Sequence, residues 1–168
     1  LFLPHLSYAE ALDKRLGTVA LSSYPWPPMW ASKDGVLTQA ALESYLDQYY
    51  AKVSSDPYGV GGAFPQFHDI YKEAGTGEGY GYLDPKAGET FRYTLVLALS
   101  HNPDMIQLIT WNDYGEGTII EPTEEFGYRY LEMVQAARRA MQAGDFAFTT
   151  EDLRLPLQIF TLRREHAD

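Results

Sequence analysis

Two carboxylates, Asp113 and Glu116, stand three residues apart in the turn WNDYGEG at residues 111–117. The turn follows an apolar run at 105–111, which is predicted to be a buried strand, and α/β proteins keep their chemistry at the carboxyl ends of strands. Such a pair can divide the work, one group protonated as the acid and the other ionised as base or nucleophile. The spacing alone equally permits a structural arrangement, in which Asp113 caps the turn and Glu116 is solvated.

The composition excludes several classes of function. A net charge of −10 argues against nucleic-acid binding, which requires clustered Lys and Arg. The absence of cysteine excludes disulfides and thiol chemistry, and no apolar run reaches the about 18 residues of a membrane span. The histidines share no metal-ligand spacing, so we expect no metal and no other cofactor. An aromatic content of 14% favours a carbohydrate site beside ordinary core packing.

Apolar runs and helix caps predict alternating strands and helices. Strands are predicted at 1–6, 18–21, 58–64 and 105–111, and helices at 7–17, 38–53, 88–102, 123–141 and 150–165. Short, continuous apolar runs are typical of parallel strands buried on both faces. Four βα units plus a terminal helix make about half of a (β/α)8 TIM barrel, which needs about 250 residues. We therefore predict an α/β fold: a single domain over 1–168 that forms the C-terminal half of such a barrel and needs the N-terminal half.

Each predicted strand ends in side chains that could contact a ligand. Aromatic rings there would stack on sugar rings, and polar groups would bind hydroxyls; the alternatives are core packing and structural hydrogen bonds. The candidates are His5, Trp26, Trp30, His68, Asp69, Trp111, Asn112 and Tyr114. Glu121, which precedes a proline, is predicted to fix the loop by accepting backbone hydrogen bonds.

Three stretches of the chain resemble glycoside hydrolases of families 71 and 99. WNDYGEGTIIEP at 111–122 resembles the last-strand motif of both, N-E-W-x-E-G-T-x-I-E-P in family 99 and W-N-D-x-x-E-S in family 71. SYPWP at 23–27 is similar to the strand exit S-W-x-x-W-P of family 71, and residues 60–69 resemble the penultimate strand region of both. The first motif is specific, and the other two matches are loose.

The resemblance implies a (β/α)8-barrel glycosidase that acts on α-linked glycans of the α-mannan or α-glucan type without a metal. Asp113 matches the first catalytic carboxylate and Glu116 the general acid. The aspartate follows family 71, whose enzymes invert, whereas residues 117–118 and 121–122 follow family 99, whose enzymes retain, so the stereochemistry stays open.

A module of the same fold that binds glycan or assists polysaccharide biosynthesis without hydrolysis is the alternative. The expected partner in either case is an oligosaccharide or polysaccharide. This substrate class favours an extracellular or periplasmic location, although the sequence itself assigns no compartment.

Overall fold

The computed structural model describes residues 22–56 and 58–166. The elements predicted at 1–6, 7–17 and 18–21, together with His5, lie outside these residues. The chain divides into two compact units, Leu1–Ile120 and Glu121–Asp168. The single domain over residues 1–168 stays a prediction.

The described part of the first unit contains two α-helices and three pairs of short strands. In chain order these are α1 Gln39–Val53, β1 Val60–Ala63, β2 Phe67–His68, β3 Tyr82–Leu83, α2 Glu89–Ser100, β4 Met105–Leu108, β5 Asn112–Asp113 and β6 Thr118–Ile119. Short 3-10 turns at Met29–Ala31 and Lys86–Gly88 precede the two helices.

The predicted parallel pairing is confirmed for β1 and β4. Val60 lies opposite Met105 and Ala63 opposite Leu108, with α2 crossing over between the two strands. This β-α-β unit is the building block of an α/β barrel. Both strands are shorter than predicted, so Trp111 lies beyond the end of β4. The prediction that this strand is buried is wrong for β4, whose Met105 and Leu108 are exposed.

Helix α1 joins the proline-rich segment to β1. Thr38 caps it as predicted, its hydroxyl accepting the Ala41 N–H at 3.3 Å. The buried Tyr49 hydroxyl hydrogen-bonds to the carbonyl oxygens of Ser23, at 2.9 Å, and Val60, at 2.5 Å. The start of the proline-rich segment and the first parallel strand are therefore held by one side chain.

Two antiparallel hairpins stand where the sequence predicts irregular loops. Strand β2 pairs with β3, and β5 pairs with β6. Each of these strands is only two residues long, so no periodic apolar pattern in the sequence can indicate it. The second hairpin holds the Asp113–Glu116 pair in its turn.

The second unit contains α3 at Arg129–Met141, a 3-10 turn at Thr150–Arg154 and α4 at Leu155–Glu165. The prediction that a helix begins at Thr123 is wrong. The Thr123 carbonyl accepts the Gly127 N–H at 2.8 Å in a tight turn, and Gly127 has a φ of 57°, which a helix cannot contain. No helix of the described residues combines the length and apolar character of a membrane span.

Replacing Tyr49 with Phe should lower the free energy of unfolding by about 1–3 kcal/mol, because two buried carbonyls lose their hydroxyl partner. Urea unfolding of both proteins measures the change. Tyr58→Phe, at an exposed tyrosine just before β1, is the matched control and should stay within about 0.5 kcal/mol of the wild type. Equal effects of the two changes would contradict the role assigned to Tyr49.

Candidate active site

Parallel pairing brings the exits of β1 and β4 to the same edge of the sheet, and backbone hydrogen bonds join them. The His68 N–H donates to the Glu116 carbonyl at 2.8 Å, and the Ile70 N–H donates to the Gly115 carbonyl at 3.1 Å. The buried Gln66 amide adds a third bond, from Nε2 to the Gly117 carbonyl at 2.8 Å. The turn that carries the carboxylates is therefore fixed on the segment that follows β1.

The turn of the β5–β6 hairpin is shaped by Asp113 and Gly117. Asp113 Oδ1 accepts the Glu116 N–H at 2.9 Å, and the Asp113 N–H donates to Thr110 Oγ1 at 3.1 Å. Gly117 has a φ of 69°, and a Cβ there would lie 2.8 Å from the His68 carbonyl oxygen. Only glycine allows this close approach of the two exits.

Two donors hold the half-buried carboxyl group of Glu116. Trp26 Nε1 donates to Oε2 at 3.2 Å, and the Tyr71 hydroxyl donates to Oε1 at 3.2 Å. The donors come from different segments: the proline-rich stretch before α1 and the loop after β2. Each carboxyl oxygen is thus oriented by one side chain.

Burial raises the pKa of Glu116 above the ordinary value of 4.5, and the negative charges of Asp113 and Asp69 act in the same direction. The hydrogen bonds from Tyr71 and Trp26 oppose this shift, because they favour the ionised carboxylate. Loss of solvation also raises the pKa of Tyr71, with the neighbouring Glu116 charge as the next cause. The tyrosine therefore remains a hydroxyl donor to Glu116.

The arrangement provides the elements of acid–base catalysis. A carboxyl that keeps its proton to higher pH than an ordinary glutamate can donate it to a leaving oxygen. Asp113 is its electrostatic neighbour, and among the described residues no hydrogen bond reaches Asp113 Oδ2. In the same part of the chain, no three His, Asp or Glu side chains gather to hold a metal ion.

The predicted aromatic candidates lie in different settings. Trp111 is 53% exposed, and Asn112 and Tyr114 are exposed beside it on the second hairpin. Trp30 is 68% exposed, with its ring edge-on to Tyr45 at 6.1 Å. Their exposure leaves the surfaces of these four side chains accessible to a ligand.

His68 and Asp69, at the β2 exit, differ in exposure. His68 is exposed and edge-on to Tyr82 at 5.3 Å. Asp69 is buried, and its carboxylate accepts three backbone N–H bonds, which is the structural alternative considered for it. Glu121 belongs to the second unit, and its structural role near the site stays a prediction.

Sequence reasoning missed two residues of the site, Gln66 and Tyr71. Gln66 follows β1 and Tyr71 follows β2, and polar side chains at such strand exits are candidates for site residues. It also treated Trp26 as a stacking surface, whereas the structure uses its indole N–H as a donor to Glu116.

Two solved structures of family 99 endo-α-mannosidase from Bacteroides thetaiotaomicron are similar to this fold. The first aligns with a TM-score of 0.57 and 17% identity over 85% of this chain and 46% of that chain. The second, in complex with bis-tris propane, aligns with a TM-score of 0.56 and 16% identity over 83% and 47%. This chain therefore spans less than half of either mannosidase chain.

At this level of identity the similarity establishes the fold. The chain is an α/β protein whose fold matches about half of the TIM barrel of that mannosidase, as predicted. No protein-family model matches the chain, and no curated protein does. The resemblance to family 71 stays a prediction.

The raised pKa of Glu116 predicts a specific pH dependence of stability. The folded state binds this proton more tightly than the unfolded chain, so the carboxyl adds stability that is complete below about pH 4.5 and is lost as the pH rises through the folded pKa. Glu116→Gln does not titrate. In urea titrations, the wild-type free energy of unfolding minus that of the variant should therefore fall as the pH rises above 4.5. A difference that rises with pH would contradict the direction of the shift.

Proposed function

We propose that this chain is part of a glycoside hydrolase that acts on α-linked glycans of the α-mannan or α-glucan type. The observation that carries the proposal is the half-buried Glu116 carboxyl, held by Trp26 and Tyr71 beside the Asp113 carboxylate. The fold of an endo-α-mannosidase supports the choice of substrate class.

Glu116 serves as the general acid in this proposal. Its proton passes to the glycosidic oxygen as the bond from that oxygen to the anomeric carbon breaks, so the leaving sugar departs as a neutral alcohol. The two hydrogen bonds aim the carboxyl, and partial burial keeps the proton available. The carboxylate that remains is stabilised by the same Trp26 and Tyr71 donors, which favour the ionised form.

Asp113 serves as the base, because it is the charged neighbour of the acid. Its Oδ1 is occupied by the Glu116 N–H, which fixes the group, and Oδ2 would accept the proton of the attacking hydroxyl. That hydroxyl belongs either to water, which inverts the anomeric centre, or to the sugar's own 2-position, which leads to retention. Proton NMR of the first product anomer distinguishes the two.

A module that only binds glycan would use the same exposed aromatic rings. Binding alone does not require a half-buried carboxyl such as Glu116, whose pKa is raised and whose two oxygens each accept a hydrogen bond. It also does not require a second carboxylate beside it. The site favours turnover for this reason. The remaining wall of the substrate cleft would come from the other half of the barrel.

Glu116→Gln and Asp113→Asn in the full-length protein should each lower the rate of reducing-sugar release from α-mannan or α-1,3-glucan by about 10²–10⁴-fold, the usual contribution of general acid–base catalysis. Both changes keep the size of the side chain, and circular dichroism checks that the fold is retained.

Glu124→Gln, which alters an exposed carboxylate outside this turn, is the matched control and should leave the rate unchanged. Wild-type rates in both site variants would overturn the proposal. Absence of release by the wild-type protein from both polymers would overturn it as well.

A further inference from the structure

The loop between β2 and β3 is fixed at both ends by one buried carboxylate. Asp69 Oδ1 accepts the Tyr71 N–H at 3.2 Å, and Oδ2 accepts the N–H groups of Tyr80, at 2.7 Å, and Gly81, at 3.2 Å. Gly79 has a φ of 80°, and a Cβ there would lie 2.7 Å from Asp69 Oδ1. The loop therefore closes around this carboxylate with no room for a side chain at position 79.

The interior of the loop is also hydrogen-bonded. The Thr76 N–H and hydroxyl both donate to the Tyr71 carbonyl, at 2.9 and 3.2 Å, and the Ala74 N–H donates to the Ile70 carbonyl at 2.9 Å. Compact loops with closed ends are frequently functional. Because these hydrogen bonds fix the conformation of the loop, a ligand that binds it pays little of the usual entropic cost of ordering.

A surface hollow of about 330 Å³ lies in this loop, within the size range of ligand sites. It is lined by Tyr71, Thr76, Gly77, Glu78, Gly79 and Tyr80. The rings of Tyr71 and Tyr80 lie 5.8 Å apart at 83°, so they form two aromatic walls at a right angle. Tyr80 is 60% exposed and offers its ring to a ligand.

The hollow adjoins the candidate active site through Tyr71, which lines the hollow while its hydroxyl donates to Glu116 Oε1 at 3.2 Å. A glycan whose scissile oxygen meets Glu116 can extend its next unit along this ring. We infer that the hollow is a subsite for a neutral sugar unit next to the bond that is cleaved, stacked on Tyr80. This inference rests on the proposed function and extends it to a second sugar unit.

The charges around the hollow select a neutral sugar. The carboxylates of Glu78 and Asp69 belong to the same loop region, and Lys72 is engaged by Glu78 at 3.8 Å. A uronic acid or a sulfated sugar would be repelled there, whereas the hydroxyls of a neutral hexose can donate to Glu78. The apolar C–H face of the ring would pack on the aromatic wall.

Binding of α-linked mannotetraose to the full-length Glu116→Gln protein, measured by calorimetry, tests the subsite without turnover. Adding Tyr80→Ala should weaken the Kd by about three- to tenfold, and Tyr80→Phe should leave it near the parent value because the ring remains. Tyr58→Ala removes an exposed tyrosine at the opposite end of β1 and is the matched control, with no expected change.

NMR of the full-length Glu116→Gln protein provides a readout that needs no Tyr80 variant. The backbone amides of Gly77 and Gly79 should shift on titration with mannotetraose, whereas the amide of Gly59, before β1, should not. This measurement keeps the test valid if Tyr80→Ala fails to fold.

Unchanged affinity in Tyr80→Ala or unmoved Gly77 and Gly79 amides would each overturn the subsite, as would no binding of mannotetraose by a protein that hydrolyses α-mannan. Hydrolysis by the wild-type protein is measured separately and decides the proposed function. An active enzyme with an unresponsive loop would refute the subsite and leave the glycosidase assignment in place.

Discussion

The parallel pairing of β1 with β4 is the constraint on which the rest of the site depends. It places two strand exits at one edge, where the backbone of His68 and Ile70 donates to the carbonyls of Glu116 and Gly115. Neither exit has enough regular structure to hold a side chain accurately by itself, since β2, β3, β5 and β6 are each two residues long. The backbone hydrogen bonds between the two exits supply the missing rigidity. The exits can approach this closely because Gly117 has no Cβ.

Glu116 is subject to opposing electrostatic effects. Loss of water and the nearby negative charges favour the protonated carboxyl, whereas Trp26 and Tyr71 favour the carboxylate. A general acid needs both, because it must hold a proton before the reaction and become a stable anion after it. Asp69 has two roles here. It fixes the loop after β2 through hydrogen bonds, and its negative charge helps to raise the pKa of Glu116.

Helices and strands with a strong apolar pattern could be predicted from the sequence. The contacts between loops could not. Helix α1 was predictable from Thr38 and its apolar stripe, and the β1-α2-β4 unit from continuous apolar runs. The start of α3 was not predictable, because a hydrophobic pattern does not show that Gly127 has a φ of 57°. Asp113 and Glu116 could be singled out from their motif, but the contribution of Tyr71 depends on a hydrogen bond across 45 positions of the chain. Such a bond is set by tertiary structure and has no local signal.

The most direct test of the central claim is a carbon-13 NMR titration of the Glu116 carboxyl in the full-length protein. We predict a midpoint above 4.5, the ordinary glutamate value, and a further rise in Trp26→Phe, because that change removes a hydrogen bond to the ionised form. A midpoint at or below 4.5 would contradict the assignment of Glu116 as the general acid.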